Sequence, residues 1–290
     1  MATHFSSIGL SITSDVEAME LIERVAIDTE RLPTPHGTYL RWTDPSGAEL
    51  WIQLNADNDP VGLNPHFGGL SKVRVLLTDR LDTGSGCALD GRFHAWADPD
   101  KAVGDHSGSY PFLFDAPDAA SHEELTFPAE FDVQIAAFAH DVDVFANPKA
   151  FEAAQTGSSE YWNTAQTFIP TGLMGGKGLR AEATFTGIVR KTERRKNQLT
   201  GAEFVWCLVS SRSGVYDVVA DPELMPQLPS PGGVVTGTFW LTGRIGACAK
   251  AAEGVIQSSE GWKRGGRSHA EPPPSGSGVS SRAGQSRGSA

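Results

Sequence analysis

Residues 37–55, GTYLRWTDPSGAELWIQLN, limit what this chain can fold into more than any other stretch. Tyr39, Arg41 and Thr43 alternate with Leu40 and Trp42, and Leu50, Ile52 and Leu54 alternate with Trp51 and Gln53. That period of two is the signature of strands with one face buried. Between the strands, Asp44-Pro45-Ser46-Gly47 specifies a tight turn. The Pro45 ring presets φ for the first central position, and Gly47 tolerates the positive φ that follows. The stretch predicts an antiparallel hairpin.

Upstream, Phe5 to Ile12 reads as a strand, and Ser14 caps a helix running to about Asp28. Glu17, three residues after the cap, completes a capping box. Val16, Met19, Ile22, Val25 and Ala26 fall on one helical face, opposite Glu20, Glu23 and Arg24, so the helix is amphipathic. Residues 5–55 therefore predict a β-α-β-β unit, to which a short strand near Thr29 to Leu32 is added.

Downstream, strands are expected over Leu70 to Leu77, Arg92 to Ala97, Tyr110 to Phe114 and Val133 to Ala139, with a short helix over Pro148 to Gln155. Ala181 to Lys191, Glu203 to Ser210, Val215 to Ala220 and Val234 to Leu241 are strand-like and separated by turn clusters. So many strands in so short a stretch suggest a small, mostly antiparallel, OB-like β-barrel, because closure removes exposed edges. The expected class is α+β: an N-terminal domain over 1–140, a linker with a short helix over 141–177, a barrel over 178–246 and a disordered tail over 247–290.

A chain of 290 residues suits two domains. No apolar run reaches the length of a membrane span, and residues 1–14 lack the pattern of a secretory signal. Cys87, Cys207 and Cys248 are odd in number and far apart, which excludes a disulfide framework or a CxxC metal knuckle and points to a cytoplasmic protein. The net charge is −11, and from Gly261 onward five basic residues face one acid, leaving a tail of +4 and a body of −15. An acidic body argues against a nucleic-acid partner, whose phosphates select clustered Lys and Arg. The basic cluster Arg190 to Lys196, RKTERRK, reads as a solvated hairpin tip.

The hairpin around DPSG, after a strand and a helix, resembles half of the vicinal oxygen chelate superfamily, which contains glyoxalases, bleomycin-resistance proteins and extradiol dioxygenases. The resemblance implies a βαβββ module around a cavity. It also implies a metal held by a His or Glu in the first strand and by a Glu four residues after the turn glycine. That last position is Trp51 here, and Glu49 lies two residues earlier on the same strand face. The departure leaves no metal or other cofactor expected at the family site. The whole chain is also similar to bacterial proteins without an assigned activity that share GLNPHFGG (62–69) and DVVADPE (217–223).

His66 reads as a loop residue beside Gly68 and Gly69, and loops on rigid sheets concentrate binding groups. The candidate ligand-binding residues are therefore Arg41, Trp51 and His66. They imply a non-catalytic protein that holds a small molecule in its N-terminal cavity. The alternatives are a metal-independent lyase or isomerase using His66 as acid or base, and nucleic-acid binding through the C-terminal barrel. His94 and Asp98, with Asp105 and His106, are metal-capable but lack ligand spacing. A membrane partner is not expected, and a homodimer stays open.

Overall fold

A computed structural model describes residues 2–100, 107–155, 164–174 and 178–246. The tail expected to be disordered lies outside the described residues.

Helix α1 (Asp15–Val25) starts where its cap predicts: Ser14 Oγ accepts the Glu17 amide at 3.3 Å, while the Glu17 carboxylate accepts the Thr13 amide at 2.6 Å. A 3-10 turn, Ala26–Asp28, extends it to the expected end. Ile22 and Val25 are buried, whereas Val16 and Met19 on the same face stay exposed. The expected strand over Phe5 to Ile12 is not formed; Ser6–Ile8 is a 3-10 turn instead. The Ser6 and Ser7 hydroxyls both donate to the Thr3 carbonyl, and such local bonds compete with a ladder.

Four strands follow as an antiparallel meander: β1 (Glu30–Thr34), β2 (Gly37–Thr43), β3 (Ala48–Leu54) and β4 (Pro60–Phe67). The β2–β3 hairpin pairs Arg41 with Trp51 and closes on Gly47 at φ +93°. His66, expected in a loop, lies instead in β4, which carries Pro60, Gly62 and Pro65. This strand forms because it is the sheet's edge, where a missing N–H costs no ladder bond.

The second sheet contains β5 (Val73–Leu81), β6 (Arg92–Pro99), β7 (Gly108–Asp115), β8 (Ala129–Phe145), β9 (Thr167–Ile169), β10 (Glu182–Lys196), β11 (Glu203–Ser211), β12 (Gly214–Ala220) and β13 (Val234–Ile245). Helix α2 (Pro148–Gln155) follows β8. The long antiparallel ribbon β8–β13, paired from Val133↔Ile245 to Phe145↔Val234, is its spine. At one end β5, β6 and β7 close a five-stranded ring on it, the last link being the Thr242↔Asp115 bridge. At the other end β12, β11 and β10 close a second ring.

Residue 140, where a domain boundary was expected, falls inside β8, a strand common to both rings, and the described residues fall in one compact unit. The barrel strands of 178–246 cannot close without β8, because β12 and β13 both need its edges. Alternate residues of these strands, among them Val75, Phe112, Ile135, Phe185, Val218 and Phe239, fill one continuous interior. The opposite face of the ribbon joins α1 and the meander in a second core that includes Ile22, Leu50, Phe67, Phe138 and Trp206.

Candidate functional site

Every residue of β3 is buried, but its two faces differ. Ala48, Leu50, Ile52 and Leu54 enter the second core, which leaves Glu49, Trp51 and Gln53 on the other side. Glu49 Oε1 accepts Arg41 Nη2 at 2.5 Å and Arg244 Nη1 at 3.4 Å, and Oε2 accepts the Trp51 indole N–H at 2.9 Å. Both guanidinium carbons lie near the Trp51 ring, at 5.5 and 5.2 Å from its centroid. Burial opposes the charge on Glu49, but the positive charge of His66 whenever that ring is protonated, and of Arg244 and Arg41 throughout, holds the carboxyl below the usual carboxylate range.

His66, paired with Glu49 across β3–β4, is fully buried. Its Nε2 meets Gln134 Oε1 at 2.9 Å and its Nδ1 meets Thr242 Oγ1 at 3.2 Å. The Gln134 amide nitrogen donates to the Phe67 carbonyl and to Asp217 Oδ2, so its oxygen must face His66. Nε2 therefore carries the proton, and Nδ1 accepts from the Thr242 hydroxyl. Burial pushes the imidazole below its usual range against the pull of Glu49, and Arg244 adds to the lowering.

Asp217, also fully buried, accepts from the Leu70 and Ser71 amides at 3.0 and 2.7 Å and from the Trp206 indole at 2.8 Å. The segments GLNPHFGG and DVVADPE thus meet here, with Gly68 and Gly69 passing between two carboxylates. A Cβ on Gly68 would lie 2.7 Å from Glu49 Oε1, and one on Gly69 2.2 Å from Asp217 Oδ2. Only glycine admits so close an approach.

A cleft of about 160 Å³ opens beside this network. Asn64, which pairs with Trp51 across the sheet, lines it together with Thr242, Trp240, Asp90, Arg92 and Asp115. Arg92 is clamped by Asp115 (Nε–Oδ1 2.7 Å, Nη2–Oδ2 3.3 Å) and donates to the Leu179 carbonyl. The Trp240 indole donates to Asp115 Oδ2 at 2.7 Å. Asp90 Oδ1 accepts from Gln53 at 2.6 Å and from Asn64 at 3.3 Å. A second hollow, about 410 Å³ and lined by Arg80, Asp82 and Cys87, shares Asp90 as a wall.

Of the three residues expected to bind a ligand, Trp51 and His66 are fully buried and Arg41 is tied to Glu49 and, at 3.4 Å, to Glu30. The structure brings them together as a packed polar node and places the opening next to them. The cleft residues Asp90, Arg92, Asp115, Trp240 and Thr242 were missed. They lie on a loop and on strands far apart in sequence, and the one signal was Asn64 and His66 in a segment already singled out.

Of the remaining candidates, His94 Nδ1 is bonded to Thr78 Oγ1 at 2.5 Å, and Asp105 and His106 lie outside the described residues. His4 Nε2 meets His140 Nε2 at 2.9 Å, with ring centroids 5.1 Å apart and planes 14° apart. The two nitrogens point at each other and share a proton instead of converging on a third point. Among the described residues no three His, Cys, Asp or Glu side chains are grouped to hold a metal. In the basic cluster, Arg195 stacks over Trp206 at 4.1 Å and donates to the Ser46 carbonyl of the hairpin turn, and Lys191 pairs with Glu193. Among the described residues no helix is long and apolar enough to cross a membrane. No family model, curated protein or solved structure matches this chain.

Proposed function

We propose that the protein is a non-catalytic small-molecule-binding protein whose ligand occupies the cleft bounded by Asn64, Asp90, Arg92 and Trp240. The observation that carries the reading is a concave site where amide, carboxylate and guanidinium groups converge beside an indole. Its volume lies below the roughly 300 Å³ at which drug-sized pockets begin, which fits a small polar metabolite. Both His66 nitrogens are engaged and the ring is shut from solvent, which favours binding over catalysis by His66.

The vicinal-oxygen-chelate relation belongs to this proposal. The DPSG hairpin within an antiparallel meander supports it, and the order departs from it in lacking a strand before α1. An OB-like reading of the second ring is supported by its five-stranded closure.

The test is a thermal-shift screen of polar metabolites with isothermal titration of each hit, repeated on Ser85→Trp. Ser85 lines the cleft, and an indole there fills it. Hits that lose affinity in Ser85→Trp support the reading. A screen without hits, or hits indifferent to the substitution, refutes it.

A further inference from the structure

We propose that the cleft ligand carries an ammonium group and that Asp90 is its counter-ion, an inference that rests on the cleft being a ligand site. The two hollows that meet at Asp90 are lined by three carboxylates, Asp82, Asp90 and Asp115, against two guanidiniums, Arg80 and Arg92. Those charges are not equally available. Arg92 and Asp115 neutralise each other through two hydrogen bonds, and Arg80 turns to Glu123 at 3.5 Å. Asp90 is left with two neutral amide donors, Gln53 and Asn64, both on Oδ1.

The hydrogen-bonding inventory points the same way. The Trp240 N–H is committed to Asp115, and the Thr242 hydroxyl hydrogen to His66 Nδ1. The acceptors left to a guest are the second oxygen of Asp90 and the side-chain oxygen of Asn64, whereas the Ser85 oxygen already accepts from the Thr83 hydroxyl and the Cys87 amide and offers its O–H instead; of the two acceptors only Asp90 carries a charge. A donor-rich cation satisfies this wall, and a carboxylate or phosphate would meet the unbalanced charge of Asp90 at short range. Charge-assisted N–H bonds to a carboxylate are about twice as strong as neutral ones, so the ammonium head would set the orientation.

The experiment titrates the full chain with three probes of one carbon skeleton: butane-1,4-diamine, butane-1,4-diol and butanedioate. The expected order is the diamine first, the diol about tenfold weaker or more, and butanedioate without detectable binding. Asp90→Asn keeps an oxygen for Gln53 and Asn64 and removes the charge, and it should weaken the diamine about tenfold. In the wild type, raised salt should weaken the diamine and leave the diol unchanged, a readout that needs no variant. Diol or butanedioate bound as tightly as the diamine, or diamine binding unmoved by both Asp90→Asn and salt, overturns the ammonium assignment while the cleft remains a binding site. No heat from any probe, together with an empty metabolite screen, overturns both.

Discussion

Replacing Glu49 by Gln should destabilise the protein by about 3 kcal/mol, the lower end of the cost of removing one partner from a buried ion pair. Glu49 is 1% exposed, and its side chain is the shared partner of Arg41 and Arg244. The Nε of each arginine is already buried without a hydrogen-bond partner, so neither guanidinium has a spare acceptor at hand. Arg41 would keep Glu30, more than half exposed, and both guanidiniums would keep the Trp51 face. The arginine side chains are 22% and 20% exposed, which lets water screen part of the loss and places the value at the lower end. At about 2–4 °C per kcal/mol for a chain of this size, the melting temperature should fall by about 6–12 °C. Urea unfolding of both proteins should show a lower midpoint with an unchanged m-value. Because the folded carboxyl lies below its ordinary 4.5, its contribution is complete above that pH and drains away as pH falls through the folded value. The wild type should therefore lose more stability on acidification than Glu49→Gln. A loss under about 1 kcal/mol, with parallel acid limbs, would refute the view that Glu49 neutralises the two arginines.

A second pH effect belongs to His4, which stacks on Trp240 with centroids 4.3 Å apart, and whose pKa is lowered from 6.5 to about 4 by burial and then by His140. The unfolded chain binds that proton first, so stability should be full above pH 6.5 and decline by up to about 3 kcal/mol toward pH 4. His4→Phe, which keeps an aromatic ring over Trp240, should flatten that slope in urea unfolding followed across the window. Identical slopes would rule the pair out. Gly69→Ala drives a Cβ to 2.2 Å from Asp217 and should cost about 1–3 kcal/mol, read as a lower urea midpoint, whereas a neutral result would mean that the loop moves freely past the carboxylate.

What the sequence determined by itself was local. The alternation around Asp44 to Gly47, the Ser14 cap and the strand runs of 181–241 each rest on chemistry within a few residues, and the hairpin, α1 and β10 to β13 form close to where they were expected. It failed where a local pattern is overruled or has no signal: hydroxyl bonds turned Phe5 to Ile12 away from a strand, and an edge position let proline-bearing β4 form. Only the tertiary structure decided how the strands share edges, because one strand, β8, serves β5 and β12 along a single side and β13 along the other. The same long-range pairing decided the site. Arg41, Trp51 and His66 were legible as special, but whether they face solvent or one another depends on Arg244, Thr242 and Gln134 from the β8–β13 ribbon. A side chain's type sets which partners it needs, and only the closed sheet sets which of them it meets.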